Sequence, residues 1–375
     1  MILKDLIPNH IFIIGGGRWP RVLAEVLVLL THSSTKISIH SKYNFKTINK
    51  WIKKKKFHNR ITSENKLPEF DKSKRNLLIV ANQSKQHFES VQFGLNNRIP
   101  VFVEKPMTLS YERSLSLKKL SDKKKTVLVS SNIFLFANYF EELLKIKSSL
   151  KKIDSVKICW KDSAFETRYG EKKSFDYSVP LFKDVLHHIL PIVNQILGKY
   201  PEKLENMNIS RGGAKNIFRF NVNKTVCHIN LERNAKERKR LIEINSNKNK
   251  LVLNFSSEKP FIIKNKVKIY SNKNLKVNNK PIATMFKFLF ELIYANKKDI
   301  RLSLNQSLKS SKIIDNIYKK YLNVQCSWAE VFLNDQSSDY LKEDIDYFMR
   351  EFFSSKSIDH KSALIKLKSY KKLIN

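Results

Sequence analysis

Cysteine is scarce in this chain, which has three in 375 residues: Cys159, Cys227 and Cys326. They lie far apart in the sequence, so they form neither a disulfide framework nor the closely spaced pairs of a zinc knuckle. We therefore expect buried or incidental thiols, and no metal site.

Long apolar runs are also missing. The longest candidates, residues 22–30 and 285–295, are too short or carry charge, so neither predicts a membrane-spanning helix. The first residues lack the charged, apolar and small segments of a signal peptide, in that order. We expect a cytoplasmic protein with no membrane partner.

Acidic residues are few: 34 against 71 basic ones, which gives a net charge of +37. Only 14 of the basic residues are arginine, the residue that specific contacts to bases and phosphates favour. Lysine spread along the whole chain predicts a solvated basic surface, with nucleic-acid binding as the minor alternative and no specific nucleic-acid site. Such a surface still attracts anionic ligands, including phosphates.

The first third of the chain alternates apolar runs with helical patterns, and the hydrophobic fraction of 42% suffices for two cores. Continuously apolar strands separated by helices predict a parallel sheet that is covered on both faces, an α/β Rossmann domain. The predicted strands are 10–14, 36–40, 76–81, 100–103 and 126–130, and the predicted helices are 20–30, 45–55, 86–95 and 111–120.

Beyond residue 136 the pattern changes to a few helices and several consecutive alternating strands. Consecutive strands joined by polar turns predict an α+β domain with a mainly antiparallel open sheet. The predicted domains are a dinucleotide-binding domain at 1–135, a substrate and oligomerisation domain at 136–324, and a C-terminal helical extension at 325–375.

Gly15, Gly16 and Gly17 follow the first strand and precede a helix. Glycines there permit a tight turn and a close approach of a pyrophosphate to the helix N-terminus, so we predict that an NAD(P) cofactor binds at Gly15 and Gly17. Arg18 and Trp19, which follow at once, are further candidate cofactor contacts.

The end of the second strand has no acidic residue to hold a ribose hydroxyl. His40, Ser41 and Lys42 stand there instead. A hydroxyl and an ammonium group suit a 2′-phosphate, so Ser41 and Lys42 predict NADP in preference to NAD, with NAD possible. The alternative is that Lys42 is one more surface lysine.

Two further segments follow the glycine turn at characteristic spacings along the sequence. They are Val80–Gln83 with His87, and Val101–Pro106. Together they resemble the Gfo/Idh/MocA oxidoreductases, the family of glucose-fructose oxidoreductase and inositol dehydrogenase. The resemblance covers about residues 10–324 and implies cofactor contacts at Asn82, His87, Glu104 and Lys105. Gln83 replaces a proline that is usual in this family.

A helix that opens with Asp184 and carries His188 four residues later adds to the resemblance. Residues four apart share one face of a helix, so both side chains can point into one cleft. Leu186 and Pro191 depart from the family pattern, which predicts an altered substrate pocket.

The resemblance implies hydride transfer between a nicotinamide and a small polyhydroxylated substrate, such as a sugar or a nucleotide sugar. His188 would be the general acid or base, with His187 as the alternative. Lys105 would stabilise developing oxyanion charge, and Asp184 would orient these groups.

Two other functions stay open: an imine or conjugated-bond reductase of specialised metabolism, and a non-catalytic cofactor-binding sensor or scaffold. The resemblance also implies a homo-oligomer formed through the sheet of the second domain.

Overall fold

The computed structural model describes residues 6–168, 171–172, 175–201, 203–271, 280–334 and 341–374. The chain divides into two compact units. One comprises Met1–Asn138 and Asn274–Ser311, and the other comprises Tyr139–Lys273 and Lys312–Asn375. This division differs from the predicted one, because residues 274–311 return to the first unit and the predicted extension is part of the second.

The first unit contains a parallel sheet of six strands in the order β3-β2-β1-β4-β5-β6. Its central strands are β-branched and leucine-rich runs that are buried along their length, as a sheet covered on both faces requires. The strands are β1 His10–Ile14, β2 Lys36–His40, β3 Ile61–Glu64, β4 Asn76–Val80, β5 Val101–Val103 and β6 Leu128–Ser130.

Four helices connect these strands: α1 Arg18–Leu30, α2 Phe45–Lys55, α3 His87–Asn96 and α4 Tyr111–Lys124. The apolar residues of α3 and α4 pack on the sheet, where Val91, Leu95 and Leu117 are almost fully buried. Burial of a side chain of this size contributes about 1.5–3 kcal/mol. The predicted Rossmann arrangement is confirmed.

The second unit contains an eight-stranded sheet in the order β10-β11-β12-β7-β13-β14-β15-β16. The pair β7 and β12 is parallel, and the other pairs are antiparallel, as predicted. The strands of this unit are β7 Ser155–Ser163, β8 Thr167–Arg168, β9 Glu171–Lys172, β10 Lys203–Ser210, β11 Lys215–Val222, β12 Thr225–Ala235, β13 Lys239–Ser246, β14 Asn249–Asn254, β15 Phe261–Lys264 and β16 Val267–Ser271, with β8 and β9 forming a separate pair.

The first four α-helices after β6 are α5 Asn138–Lys147, α6 Leu181–Leu197, α7 Pro281–Ala295 and α8 Leu304–Leu333. Apolar residues fill nearly the whole circumference of α6, so that most of this helix is buried. A helix of this kind belongs to the interior of a domain, where it holds its few polar residues in fixed positions.

The C-terminal segment has a core of its own. It consists of the end of α8, helix α9 Lys342–Phe348, a π-helical turn Met349–Phe353 and helix α10 His360–Ile374. The buried residues are Cys326, Ala329, Phe348, Met349, Phe352, Phe353, Ala363 and Leu367. The described residues of the predicted C-terminal helical extension are therefore helices that pack around a common core.

Among the described residues, no helix has both the length and the hydropathy needed to cross a membrane. Within the same part of the chain, no group of three or more His, Cys, Asp or Glu side chains is placed to hold a metal ion.

Candidate active site

The glycine turn joins β1 to α1. Two of its glycines are packed closely against neighbouring residues, and the third has open space around it. A Cβ on Gly15, whose φ is +148°, would lie 2.6 Å from the Ala81 carbonyl oxygen, and a Cβ on Gly16 would meet the Ser41 hydroxyl. A Cβ on Gly17 would have nothing within 4 Å. The first two glycines thus shape the turn, while the third leaves room for a ligand.

The N-terminus of α1 carries no side-chain cap at Gly17 and no acidic residue in its first turn. The first backbone N–H groups of a helix and the positive end of its dipole favour an anion. Arg18 and Trp19 lie in this turn and are partly exposed. The open, uncapped turn fits the pyrophosphate of a dinucleotide, for which Gly15, Gly17 and Arg18 are candidate contacts.

The edge beyond β2 places Ser41 and Lys42 on the surface next to α2. The Ser41 hydroxyl accepts a hydrogen bond from the Asn44 backbone N–H at 3.2 Å, and the Lys42 ammonium lies 5.5 Å from the Tyr43 ring centroid. The Ser41 N–H donates to the backbone carbonyl of Glu64 at 2.9 Å. Strand β3 was not predicted, and it brings a carboxylate, Glu64, to this edge of the sheet.

His87 links the loop after β4 to the loop after β5. Its Nδ1 lies 2.7 Å from the Pro106 carbonyl oxygen and its Nε2 lies 3.2 Å from the Asn82 carbonyl oxygen. The ring is 1% exposed, and burial lowers its pKa, although both carbonyls oppose that shift. This enclosed imidazole thus links two loops, and its contact with a cofactor stays a prediction.

Asn82 presents a buried amide oxygen, Oδ1, without a hydrogen-bond partner among the described residues, while its Nδ2 donates to Ser90 at 2.9 Å. A buried acceptor without a hydrogen bond destabilises the folded protein, and a donor that reaches it removes this destabilisation. It therefore suits a hydrogen-bond donor on a bound cofactor.

Glu104 and Lys105 follow β5, and the peptide bond between Lys105 and Pro106 is cis. The carboxylate of Glu104 is buried and accepts from the Lys105 backbone N–H at 3.3 Å. Burial raises the pKa of Glu104, and Trp19, Lys105 and Ser131 act against that shift. Trp19, Glu104 and Lys105 therefore lie together next to the glycine turn.

Helix α6 presents two polar side chains from an otherwise buried stretch. Over residues 181–193, every side chain except Asp184 and His188 is buried. His187 is 6% exposed and belongs to the interior. Of the two adjacent histidines, His188 is thus the more exposed.

Asp184 forms an ion pair with Arg233 of β12, with 2.9 Å between Oδ2 and Nη2. The Arg233 side chain is 1% exposed, whereas that of Asp184 is 33% exposed. Loss of one partner would leave the other charge uncompensated, which is costly inside a protein. Sequence reasoning did not find Arg233, because only the pairing of distant elements brings it to α6.

His188 stacks on Trp160 of β7, with ring centroids 5.6 Å apart and an angle of 19° between the ring planes. The guanidinium of Arg240 lies 4.1 Å from the Trp160 ring and pairs with the buried Asp162. An aromatic support of this kind restricts the orientation of the imidazole. Trp160 and Arg240 are thus further residues of this site.

The predicted site residues divide between the two units. The cofactor candidates and Lys105 belong to the first unit, and Asp184 and His188 belong to the second. Each set can do part of a hydride transfer: the first can bind a dinucleotide and supply an ammonium group, and the second can supply a proton acceptor or donor.

A parallel sheet with a glycine turn at a helix without a side-chain cap, followed by a unit with an open, mainly antiparallel sheet, defines a protein with a Rossmann-type unit and a second α+β unit. Residues 10–132 match the Gfo/Idh/MocA family model, described as an oxidoreductase family with an NAD-binding Rossmann fold. The match confirms the resemblance predicted from the sequence. No curated protein sequence matches the chain.

Solved structures of similar fold include UDP-N-acetylglucosamine 3-dehydrogenase GnnA from Acidithiobacillus ferrooxidans. It is 13% identical with a TM-score of 0.64, over 81% of this chain and 94% of that chain. GenD2 from gentamicin A biosynthesis, in complex with NAD, is 13% identical with a TM-score of 0.66, over 82% and 92%. Biliverdin reductase from Synechocystis sp. PCC 6803, in complex with biliverdin and NADP+, is 12% identical with a TM-score of 0.60, over 82% and 97%.

Proposed function

We propose that this protein is an NAD(P)-dependent oxidoreductase that transfers a hydride to or from a small polyhydroxylated substrate, such as a sugar or a nucleotide sugar. The observation that carries the proposal is the open, uncapped N-terminus of α1 at Gly17, within the segment that matches an NAD-binding family. The dehydrogenases of similar fold support the substrate class.

The bound nicotinamide would supply or accept the hydride. In this proposal Lys105 stabilises negative charge on the substrate oxygen, since an ammonium group placed there favours an oxyanion. His188 moves the proton, because an imidazole changes its charge near neutral pH. Asp184, paired with Arg233, orients the groups around it.

NADP is the preferred cofactor in this proposal. An exposed ammonium at Lys42 and a hydroxyl at Ser41 suit a 2′-phosphate, while Glu64 at the end of β3 opposes a second negative charge. The preference therefore depends on the balance between Lys42 and Glu64.

The test has two stages. Fluorescence titration of the purified full-length protein with NADH and NADPH measures cofactor binding. The preferred cofactor is then used in a turnover screen with sugars, nucleotide sugars, keto acids and cyclic imines. Binding with turnover of a sugar supports the proposal, and the absence of binding to either cofactor refutes it.

An imine or conjugated-bond reductase is the second candidate, and the likeness to biliverdin reductase favours it. Turnover of imines or conjugated bonds, but of no sugar, would establish it in place of the first. A non-catalytic sensor or scaffold would bind cofactor without any turnover. The predicted homo-oligomer and the cytoplasmic location stay predictions.

A further inference from the structure

The N-terminus of α6 lacks a cap from its own sequence. Its N-cap residue is Pro180, whose side chain has no hydrogen-bonding atom, and no side-chain cap is present. The Leu181 backbone N–H instead donates to the carboxyl group of Glu351, which belongs to the π-helical turn of the C-terminal segment. A residue 170 positions later along the chain thus supplies the missing acceptor.

The same carboxyl group closes a buried network around Arg233. Arg233 Nη1 lies 3.4 Å from the Tyr347 hydroxyl, which donates to Glu351 Oε2 at 2.9 Å. The other oxygen of Glu351 accepts from Tyr321, whose hydroxyl also accepts from Gln325 at 3.0 Å. Since Arg233 also holds Asp184, the C-terminal segment is connected to that carboxylate through a single guanidinium.

The sheet domain leaves space for this segment. Gly212 and Gly213 have positive φ angles of 62° and 103°. A Cβ on Gly212 would lie 2.1 Å from the Asp344 carbonyl oxygen, and one on Gly213 would lie 2.7 Å from Glu351 Oε1. Two residues without side chains thus allow the C-terminal helices to approach the loop between β10 and β11.

We propose that Glu351 and Tyr347 are positioning residues: Glu351 caps α6, and together with Tyr347 it holds Arg233 against Asp184. The C-terminal segment, which lies outside the predicted family resemblance, would then fix the helix that carries Asp184 and His188. The part of this inference that concerns turnover rests on the proposed function.

Two variants whose side chains are about as long as glutamate distinguish the loss of the cap from a general loss of packing. Burial raises the pKa of Glu351 to about 8, with Arg233 acting against that shift, so burial disfavours the charged form of this group. Glu351→Gln keeps one oxygen that can accept from the Leu181 N–H, whereas Glu351→Met keeps only the volume. The Gln variant should therefore behave like the native protein.

Amide hydrogen exchange of the full-length protein at pH 7 measures the cap without any ligand. Glu351→Met should speed exchange of amides 181–184 by about tenfold, the size of a lost cap, and Glu351→Gln should not. Exchange over residues 241–254 of β13 and β14 should stay unchanged. Equal exchange in both variants, or an equal rise in β13 and β14, overturns the proposal.

Tyr347→Phe is a milder change that tests the connection to Asp184. The decrease in Tm of the double variant, Tyr347→Phe with Asp184→Asn, should be smaller than the sum of the two single decreases, because both changes act on Arg233. Tyr370→Phe is the matched control, since this ring packs on Phe352 within the same subdomain, and its effect should add. Additive losses for Tyr347→Phe would contradict the proposed connection.

Turnover gives the functional readout. Glu351→Met should lower kcat while the Kd for the cofactor stays unchanged, and Glu351→Gln should restore kcat. An unchanged kcat in Glu351→Met overturns the positioning role. If the native protein binds no cofactor, the proposed function fails, while the exchange and Tm experiments still decide whether Glu351 caps α6.

Discussion

Asp184 on α6 and Arg233 on β12 form an ion pair, 2.9 Å between Oδ2 and Nη2, in which the arginine is buried and the aspartate is partly exposed. The pair joins the helix that carries His188 to the central sheet of the second unit. Because Arg233 holds the Asp184 carboxylate in place and part of this carboxylate is exposed, it can contact a substrate without moving.

The first prediction concerns the N-terminus of α1. Gly17→Asp should stabilise the cofactor-free protein by ~0.5–1 kcal/mol, because an aspartate caps a helix and favours its dipole. The same carboxylate should weaken NADPH binding at least tenfold, since it occupies and repels the pyrophosphate site. Urea unfolding and NADPH fluorescence measure the two effects.

Gly17→Asn is the matched control for this prediction. It has the same shape and can cap the helix, but it carries no charge. Its loss of affinity should be clearly smaller than that of Gly17→Asp. Equal losses would mean that space, and not charge, governs this position, and unchanged binding in both variants would place the cofactor elsewhere.

Cofactor choice should respond to two residues at the edge beyond β2. Lys42→Ala should weaken NADPH binding about tenfold and leave NADH binding unchanged, because only NADPH carries a 2′-phosphate. Glu64→Gln should strengthen NADPH binding, because it removes a negative charge from the same edge. Paired titrations measure both, and an equal change for the two cofactors would contradict the assignment.

Lys105→Ala should lower kcat on the order of 10²-fold while cofactor binding survives, because the variant loses one group that stabilises an oxyanion. Lys85→Ala removes an exposed lysine from the preceding loop and serves as the control. Steady-state kinetics and cofactor titration on the same samples separate chemistry from binding. Retained turnover in Lys105→Ala would exclude the proposed role.

Stability should depend on pH through Glu351. The pKa of Glu351 in the folded protein is about 8, above its ordinary value of 4.5. Glu351 therefore contributes its full stabilisation below pH 4.5, and this contribution is lost as the pH rises towards 8. Glu351→Gln should therefore lose less stability than the native protein between pH 5 and pH 8. Urea unfolding at several pH values measures this, and parallel profiles would show that Glu351 does not titrate there.

Much of the fold could be predicted because its strongest signals are local. The predicted helix at residues 45–55 and the strands at 10–14 and 36–40 have the observed bounds, since their apolar periodicity is unbroken. Strand β3 was missed because Ile-Thr-Ser-Glu carries one buried residue at the edge of the sheet. Strand β10 was missed because nearly all its side chains are polar or partly exposed.

The candidate site was predicted in part for the same reason. The glycine turn, Lys105 and the pair Asp184 and His188 are visible as spacings along the sequence. The spacing of His87 is also visible along the sequence, but its contacts with the loops after β4 and β5 are not. Glu64 and Arg233 could not be found, because strand pairing and helix packing bring them next to residues far away in the chain.

The sequence by itself determined most of the strands and helices, the glycine turn between β1 and α1 and the polar positions of α6, because each depends on residues within a few positions of one another. Only the tertiary structure decided that residues 274–311 return to the first unit and that Glu351 caps α6. Contacts over such distances depend on how whole elements pack, and no local pattern encodes that.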